Sequence, residues 1–417
     1  MTMALRTEQI VKLLQLKSLG RKTAFKLCDF AKNQVINTDY DLQEFLLGCI
    51  AQNKVQRLPF YTKEELSKAF NQGESILSKS EKAGIKILST FDEKFPKDLK
   101  GIHDKPIIIN LKGNYSELNS RTGIAIIGTR EPTEEGRKMG KFLGKYFGEL
   151  KFNVVSGLAK GCDSAAHWGC LDGNGMTTAI VAHGLHTIYP KENEELAWKI
   201  IEKGGVLLSE YFIGVGALAN YFVERDRLQA GLASGTIVIQ SGVKGGTMHA
   251  VKATLESGKP LAAVSYNVYI SYDKIGGNET LIKELKADAL TRETINKFIE
   301  KLGVTPSSDQ LIEPESESSK EPIQNEVQKP QLKTDIESDS FHEPLDEVFI
   351  EPPEDVYHEP EEIMFSENIT ETLEENIQKP KGSSGTAISW GKRKIAKPKK
   401  YVTKSIGGKR RIPKKNS

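Results

Sequence analysis

Short polar segments that contain glycine recur along residues 123–264, each directly after a run of apolar residues. The first is Gly128-Thr129-Arg130, and the second begins at Ser156-Gly157. Glycine lets a ligand approach the backbone, and the free amides at the start of a following helix attract anions. The planar guanidinium of Arg130 suits phosphate. These segments predict a phosphate site, and the alternative is that the glycines only form tight turns.

Two later segments have the same character. Lys191 and Asn193 follow a Tyr-Pro pair, and Lys191 is expected in the first turn of a helix, where its charge opposes the helix dipole. A function therefore explains this lysine better than helix stability does. Gly245-Gly246-Thr247 leads into another helix but lacks the Lys-Ser/Thr pair of a P-loop. The pattern therefore disfavours hydrolysis of nucleoside triphosphates.

The elements that must position these segments alternate regularly between strand and helix. Short apolar runs lie between helical segments, at 124–127, 153–156, 177–182, 206–210, 236–240 and 261–264. Strands that are wholly apolar must be covered on both faces, which is typical of an α/β fold with a Rossmann-type doubly wound parallel sheet. Such sheets bind ligands at the carboxyl ends of their strands, where the polar segments lie.

The chain before the sheet predicts a small helical domain at residues 1–80, of the SAM or helix-hairpin-helix type. Apolar residues recur there at helical spacing around a break at Leu19-Gly20. The second glycine of a helix-hairpin-helix is replaced near Lys22, so plain helical packing is the alternative to DNA contact. We expect the α/β core to occupy residues 84–303.

The net charge of +2 is distributed very unevenly. Residues 305–380 hold 22 acidic against 4 basic side chains, whereas residues 381–417 hold 13 Lys and Arg and no acid. We expect an acidic disordered linker followed by a basic disordered arm, because such compositions cannot offset the entropy of folding. Residues 1–304 retain a net charge of +7. This balance favours nucleic acid or another polyanion as partner.

Several classes of protein are disfavoured by what the sequence lacks. The four cysteines show neither a CxxC pair nor the spacing of a disulfide framework. Residues 1–10 lack the apolar core of a signal peptide, and no stretch approaches the roughly 20 apolar residues of a membrane span. We therefore expect a cytoplasmic protein with no membrane contact, no metal site and no cofactor.

The polar segments together resemble one family in type, order and spacing over about residues 84–290. They comprise Gly-Thr-Arg at 128–130, Ser-Gly-Leu-Ala-x-Gly-x-Asp-x-x-Ala-His at 156–167, Tyr-Pro-x-x-Asn at 189–193, Phe222-x-x-Arg225-Asp226-Arg227 and Gly-Gly-Thr at 245–247. This set is similar to the DNA-processing protein A (DprA, also called Smf) family. The resemblance implies a homodimer that binds single-stranded DNA without cutting it. It also implies loading of the RecA recombinase during natural transformation (competence) and DNA recombination.

The resemblance further implies a DNA-binding set at the strand ends and no catalytic residue. The set is Gly128, Thr129, Arg130, Ser156, Gly157, Lys191, Asn193, Arg225, Arg227, Gly245, Gly246 and Thr247. For Arg225 and Arg227 the alternative is an ion pair with a neighbour such as Glu210. Asp163 and His167 also match family positions, and a capping or buried hydrogen-bonding role explains them without DNA.

The sequence departs from the family at three places. Asp226 stands where the family usually has asparagine, and Ser265-Tyr266 replaces a usual Pro-Gly. The frequent C-terminal winged-helix domain is not recognisable, and the acidic and basic segments stand in its place. The contacts that these features supply in the family are therefore not carried over.

Two other functions on the same fold remain as alternatives. A nucleoside monophosphate glycosidase of the LOG type carries a Pro-Gly-Gly-x-Gly-Thr-x-x-Glu segment, but here Ala250 lies where its carboxylate is expected. His249 is then the only candidate for acid–base chemistry in that segment. The second alternative is a nucleotide sensor that binds one small phosphorylated ligand.

Overall fold

The computed structural model describes residues 5–55 and 58–304. The expected linker at 305–380 and arm at 381–417 lie outside the described residues. Within the described ranges, no helix has both the length and the apolar character needed to cross a membrane.

Four helices form the first part of the chain. They are α1 (Thr7–Leu13), α2 (Arg21–Phe30), α3 (Asp39–Ala51) and α4 (Lys63–Lys82). α2 begins directly after Gly20, where the sequence pattern breaks. Thr38 and Thr62 begin α3 and α4 with capping boxes, in which the threonine hydroxyl accepts from the third backbone amide of the helix. Apolar side chains of the four helices share one core with Ile87 and Ile108 of the sheet.

A nine-stranded sheet forms the centre of the structure. Its strands are β1 (Lys86–Ser89), β2 (Ile108–Gly113), β3 (Gly123–Ile127), β4 (Asn153–Ser156), β5 (Met176–Val181), β6 (Val206–Ser209), β7 (Thr236–Val238), β8 (Leu261–Val264) and β9 (Asp288–Leu290). They lie in the order β1-β2-β6-β5-β4-β3-β7-β8-β9. β1 and β2 are antiparallel to each other, β2 is antiparallel to β6, and the other pairs are parallel. The predicted α/β fold is thus confirmed.

Helices cover both faces of this sheet. They are α5 (Lys97–Gly101), α6 (Glu134–Glu149), α7 (Cys162–Asp172), α8 (Glu194–Glu202), α9 (Ala219–Leu232), α10 (Thr247–Glu256), α11 (Tyr272–Lys283) and α12 (Ile295–Lys301). Successive strand residues point to opposite faces, so Val154 packs with α6 and α7 whereas Val155 packs with α9. This two-sided burial explains why the strands read as continuous apolar runs.

The strand order changes direction beside β3. From β3 the chain adds β4, β5 and β6 on one side and later returns to add β7 and β8 on the other. Ile127 at the end of β3 lies opposite Val238 at the end of β7. A crevice at the carboxyl ends of two such strands is the usual ligand site of an open parallel sheet. The loops after β3 and β7 therefore flank the position where a ligand is expected.

Candidate nucleic-acid interface

The loop after β3 is held from two sides. The Thr129 amide donates to the Gln240 carbonyl at 2.8 Å, and the Cys162 amide donates to the Thr129 carbonyl at 3.1 Å. Gly161 has a φ of 80°, and a Cβ there would lie 2.4 Å from the Arg130 carbonyl oxygen. Only glycine satisfies both conditions. The backbone around Arg130 is thus clamped between the loops after β4 and β7.

The exposed side chain of Arg130 lies against an aromatic pair. Its guanidinium carbon is 5.3 Å from the centroid of the Phe222 ring on α9, a cation–π distance. Phe222 in turn contacts Tyr189, with ring centroids 5.7 Å apart and an interplanar angle of 54°. We call Arg130, Phe222 and Tyr189 the aromatic row. It links the loop after β3 with the segment that carries Lys191.

Lys191 begins a 3₁₀ turn, Lys191–Asn193, that leads into α8, and its side chain is exposed. The turn is tied to the loop after β4 at two points. Asn193 is buried and donates from Nδ2 to the Leu158 carbonyl at 2.8 Å, and Glu192 forms an ion pair with Lys160. Asn193 therefore positions the turn, and Lys191 presents its charge to solvent at the same edge as Arg130.

Ser156 and Gly157, at the end of β4, lie beneath this surface. The Ser156 hydroxyl donates to the Ile126 carbonyl at 2.7 Å, and both groups are buried. The Gly157 amide donates to Oδ2 of Asp163 at 3.0 Å. Asp163 thus caps the loop internally, as its capping alternative proposed. In this arrangement Ser156 and Gly157 support the loop, and their polar groups already have partners within the protein.

Arg225 is the central buried cation of the site, with 5% of its surface exposed. Its Nη1 donates to the Gly157 carbonyl at 2.8 Å and also to the Ile180 carbonyl, at the ends of β4 and β5. Its Nε lies 3.2 Å from Oδ1 of Asp226. These contacts favour the ion-pair alternative for Arg225. The buried guanidinium also connects the ends of β4 and β5.

The two carboxyls around Arg225 are held out of water. Burial raises the pKa of Asp226 to about 7, against the attraction of Arg225 and with a further increase from Asp163. Burial also raises the pKa of Asp163, again opposed by Arg225. A carboxyl with a pKa of about 7 is ionised only in part at neutral pH, so it repels phosphate less than an ordinary aspartate does. The aspartate at position 226 is thus compatible with an anion bound above it.

His167 lies entirely within the core. The Thr177 hydroxyl donates to the Val154 carbonyl at 2.6 Å, so its oxygen accepts from Nδ1 of His167, 2.7 Å away. Burial, and secondarily the charge of Arg225, lowers the pKa of His167 to about 3. The neutral imidazole is part of a buried hydrogen-bonded chain. These contacts favour the structural alternative for His167.

Arg227 belongs to a network of four charged side chains. It pairs with Glu210 and, through Nε, with Oδ2 of Asp104 at 3.1 Å. Arg21 on α2 contacts the same two acids, with 3.0 Å from its Nη1 to Glu210. The ion pair between Arg227 and Glu210 is therefore present, and the network attaches the helical segment to the sheet.

The loop after β7 presents exposed backbone. Gly245 and Gly246 precede α10, and a Cβ on either would meet no atom within 4 Å. No side chain caps the start of α10, and Thr247 is its first residue. The Gln240 side chain bonds the amide and hydroxyl of Thr133, both at 2.9 Å, and so joins β7 to the start of α6. This loop thus follows the strand that pairs with β3, and its first part is joined to the start of α6.

The structure divides the predicted site residues into two groups. Arg130, Lys191 and the Gly245–Thr247 segment lie at the surface. The residues packed or bonded within the protein are Gly128, Thr129, Ser156, Gly157, Asn193, Arg225 and Arg227. Tyr189 and Phe222 were missing from the predicted site, although both stand in the motifs that revealed it. Within the two described ranges, no group of three or more His, Cys, Asp or Glu side chains could hold a metal ion. The surface group is a set of cations, amides and aromatic rings suited to a phosphate-bearing ligand.

Comparisons with known proteins agree with the motifs. The chain is 34% identical over 223 residues to the DNA processing protein DprA of Streptococcus pneumoniae, and this match covers 53% of this chain and 76% of that protein. It is 31% identical over 222 residues to DprA of Bacillus subtilis, and this match covers 53% of this chain and 74% of the relative. The crystal structure of S. pneumoniae DprA superposes with a TM-score of 0.58 at 29% identity, over 70% of this chain and 98% of that one. A family model described as DNA recombination-mediator protein A matches residues 86–303. The chain belongs to the DNA recombination-mediator protein A family.

Proposed function

We propose that this protein binds single-stranded DNA at the carboxyl edge of its sheet. One observation carries the proposal: Arg130 and Lys191, from loops after different strands, are exposed at one edge and linked there through the aromatic row. Cations and backbone amides bind phosphates without regard to sequence. Aromatic rings between them add surfaces on which unpaired bases stack. The arrangement fits an extended strand better than an isolated phosphate.

We further propose that the protein works as a recombination mediator in the cytoplasm. In this role a homodimer protects single-stranded DNA and helps to load RecA during natural transformation and recombination. The family description and the DNA-processing relatives support this role. A reducing compartment suits the four cysteines, which are all buried free thiols.

The site favours binding over catalysis. At the segment that resembles the glycosidase motif, Ala250 is buried and supplies no carboxyl. Burial lowers the pKa of His249, and the nearby Lys252 lowers it further, so the protonated form that a general acid requires is less populated than in an ordinary histidine. The two buried carboxyls of the site, Asp163 and Asp226, already contact Gly157 and Arg225, and the exposed Glu192 pairs with Lys160. We therefore propose that the protein is not an enzyme.

The experiment that tests the function compares three ligands at two salt concentrations. A long single strand, a duplex of the same sequence and a mononucleotide are titrated with the full-length protein. We expect the single strand to bind most tightly, with an affinity that rises with strand length and falls with salt. Saturation by the mononucleotide at equal affinity would favour the nucleotide sensor. Release of a free base from nucleoside monophosphates, lost in His249→Ala, would favour the glycosidase.

A further inference from the structure

The side chain of Tyr189 is held in place by a neighbouring ring but remains partly exposed to solvent. The residue is 48% exposed although its ring contacts that of Phe222, which lies beside the guanidinium of Arg130. An exposed aromatic side chain that packs on a neighbouring ring loses fewer rotamers on binding than a free one. The remaining surface of the Tyr189 ring is therefore already positioned for a flat partner.

The charges around Tyr189 suggest what that partner is. Lys191 follows two residues later, and Arg130 lies at the other end of the aromatic row. A ligand that contacts both cations and covers the ring carries negative charges on either side of a flat apolar group. A nucleotide within a strand has this form, because phosphates flank each base. Stacking of a base on an aromatic side chain works for every base, since each has a π-face.

We propose that Tyr189 is a base-stacking residue that helps the site distinguish single-stranded from duplex DNA. The inference rests on the proposed function and adds the contact that recognises the base. In a duplex both faces of an internal base are covered by its neighbours, so presenting one to Tyr189 requires unstacking. Arg130 and Lys191 contact phosphates, which both forms of DNA possess. The Tyr189 ring therefore contributes to the discrimination between single-stranded and duplex DNA.

The test measures the affinity of wild type and Tyr189→Ala for three ligands. These are an oligothymidylate, a strand of equal length made of abasic nucleotides, and a duplex. We expect Tyr189→Ala to bind the oligothymidylate about 5-fold to 150-fold more weakly, which corresponds to the usual worth of one stacked base. Its affinity for the abasic strand should be unchanged, because that strand has phosphates and no bases. The ratio of its affinity for the single strand to its affinity for the duplex should be smaller than in wild type.

Two further variants keep the test decisive. Tyr189→Trp restores an aromatic face and should recover the affinity, whereas Tyr189→Leu keeps apolar bulk against Phe222 and should not. Trp198→Ala is the matched control, because Trp198 is also 48% exposed but contacts Lys112 near the amino end of β6. The control should leave all three affinities unchanged.

The proposal is overturned if Tyr189→Ala and Tyr189→Leu bind oligothymidylate normally, or if they weaken binding to the abasic strand as much as to the oligothymidylate. Failure of the proposed function would look different. In that case Arg130→Ala and Lys191→Ala would also leave the affinity for both single strands unchanged.

Discussion

Arg225 donates a hydrogen bond from Nη1 to the carbonyl of Gly157 at 2.8 Å, and this contact leaves no room for a side chain at position 157. A Cβ there would lie 2.1 Å from the same Nη1 and 2.6 Å from Oδ2 of Asp163. The glycine is thus required by the packing of a buried arginine beneath the loop. The structure supports this packing explanation for the glycine at position 157. A direct contact between Gly157 and DNA stays a prediction.

Gly157→Ala should destabilise the fold, because the methyl group displaces the buried guanidinium from its carbonyl partners. We expect the free energy of unfolding to fall by about 3 kcal/mol, from overpacking and from the loss of a charged hydrogen bond. Urea denaturation measures this change. Gly245→Ala is the control, since a Cβ at that position meets nothing within 4 Å. Equal stabilities of the two variants would contradict the packing argument.

Asp226→Asn should change how stability depends on pH. The pKa of Asp226 is about 7 in the folded state against an ordinary value of 3.8, so the folded protein retains a proton that the unfolded chain has lost. The stabilisation that this group contributes is complete below the lower pKa and is lost as pH rises through 7. Wild type should therefore lose stability between pH 5 and 7, by up to about 1.4 kcal/mol per pH unit, relative to the variant.

Thermal or urea unfolding at pH 5, 6, 7 and 8 measures this difference. Asp273→Asn, which changes an exposed carboxylate on α11, is the control and should follow the wild-type profile. The charged groups that act on Asp226 are Arg225, Asp163 and Arg130, and all three are kept in both variants. Parallel profiles of wild type and Asp226→Asn would show that this carboxyl is ionised in the folded protein.

Arg130→Ala and Lys191→Ala should each weaken binding to single-stranded DNA by about 1 to 3 kcal/mol, whatever the sequence of the strand. The reason is that each variant neutralises one phosphate fewer, which should also reduce the dependence of affinity on salt. Fluorescence anisotropy at several salt concentrations provides both quantities. Lys203→Ala is the control, because this exposed lysine precedes β6 at the opposite edge of the sheet. Normal affinity in both variants, with the fold intact, would remove the proposed interface.

Removal of residues 381–417 should make the affinity for single-stranded DNA less dependent on salt. This segment holds 13 cations with Trp390 and Tyr401, so it is predicted to act as a second DNA-binding arm. The slope of log affinity against log salt should become shallower by roughly 0.7 for each phosphate that the arm no longer neutralises. The melting temperature should stay the same. Identical slopes for the full chain and for a chain ending at residue 380 would show that the arm does not touch DNA.

Removal of the acidic residues 305–380, with the arm retained, should have the opposite effect. The acidic segment is expected to compete with DNA for the arm, so its loss should tighten binding at low salt. At high salt the difference should disappear, because screening weakens the competition. Unchanged affinity at low salt would exclude that competition.

The sequence alone was enough to predict the parallel strands β3 to β8 and the edge at which their ligand is expected, but not the antiparallel pairing of β1 and β2 or the last strand, β9. The apolar strands and the polar segments after them are local features, because each depends on the residues that a short stretch buries or exposes. The strand predicted at 236–240 ends earlier, at Val238, and beyond its end the Gln240 side chain bonds Thr133. That bond joins residues more than 100 positions apart, and no local pattern contains it.

Tertiary structure alone decided which of the motif cations face the solvent. Arg130 and Arg225 are both arginines in recognised motifs, yet one lies exposed on Phe222 and the other is buried beneath Gly157. The sequence states their type and spacing, but the burial of a side chain depends on elements that fold against it from elsewhere in the chain. The contact between Tyr189 and Phe222 has the same origin, because it joins α9 to a segment 33 residues earlier in the chain. The residues therefore determined the chemistry, and long-range packing determined which of them can meet a ligand.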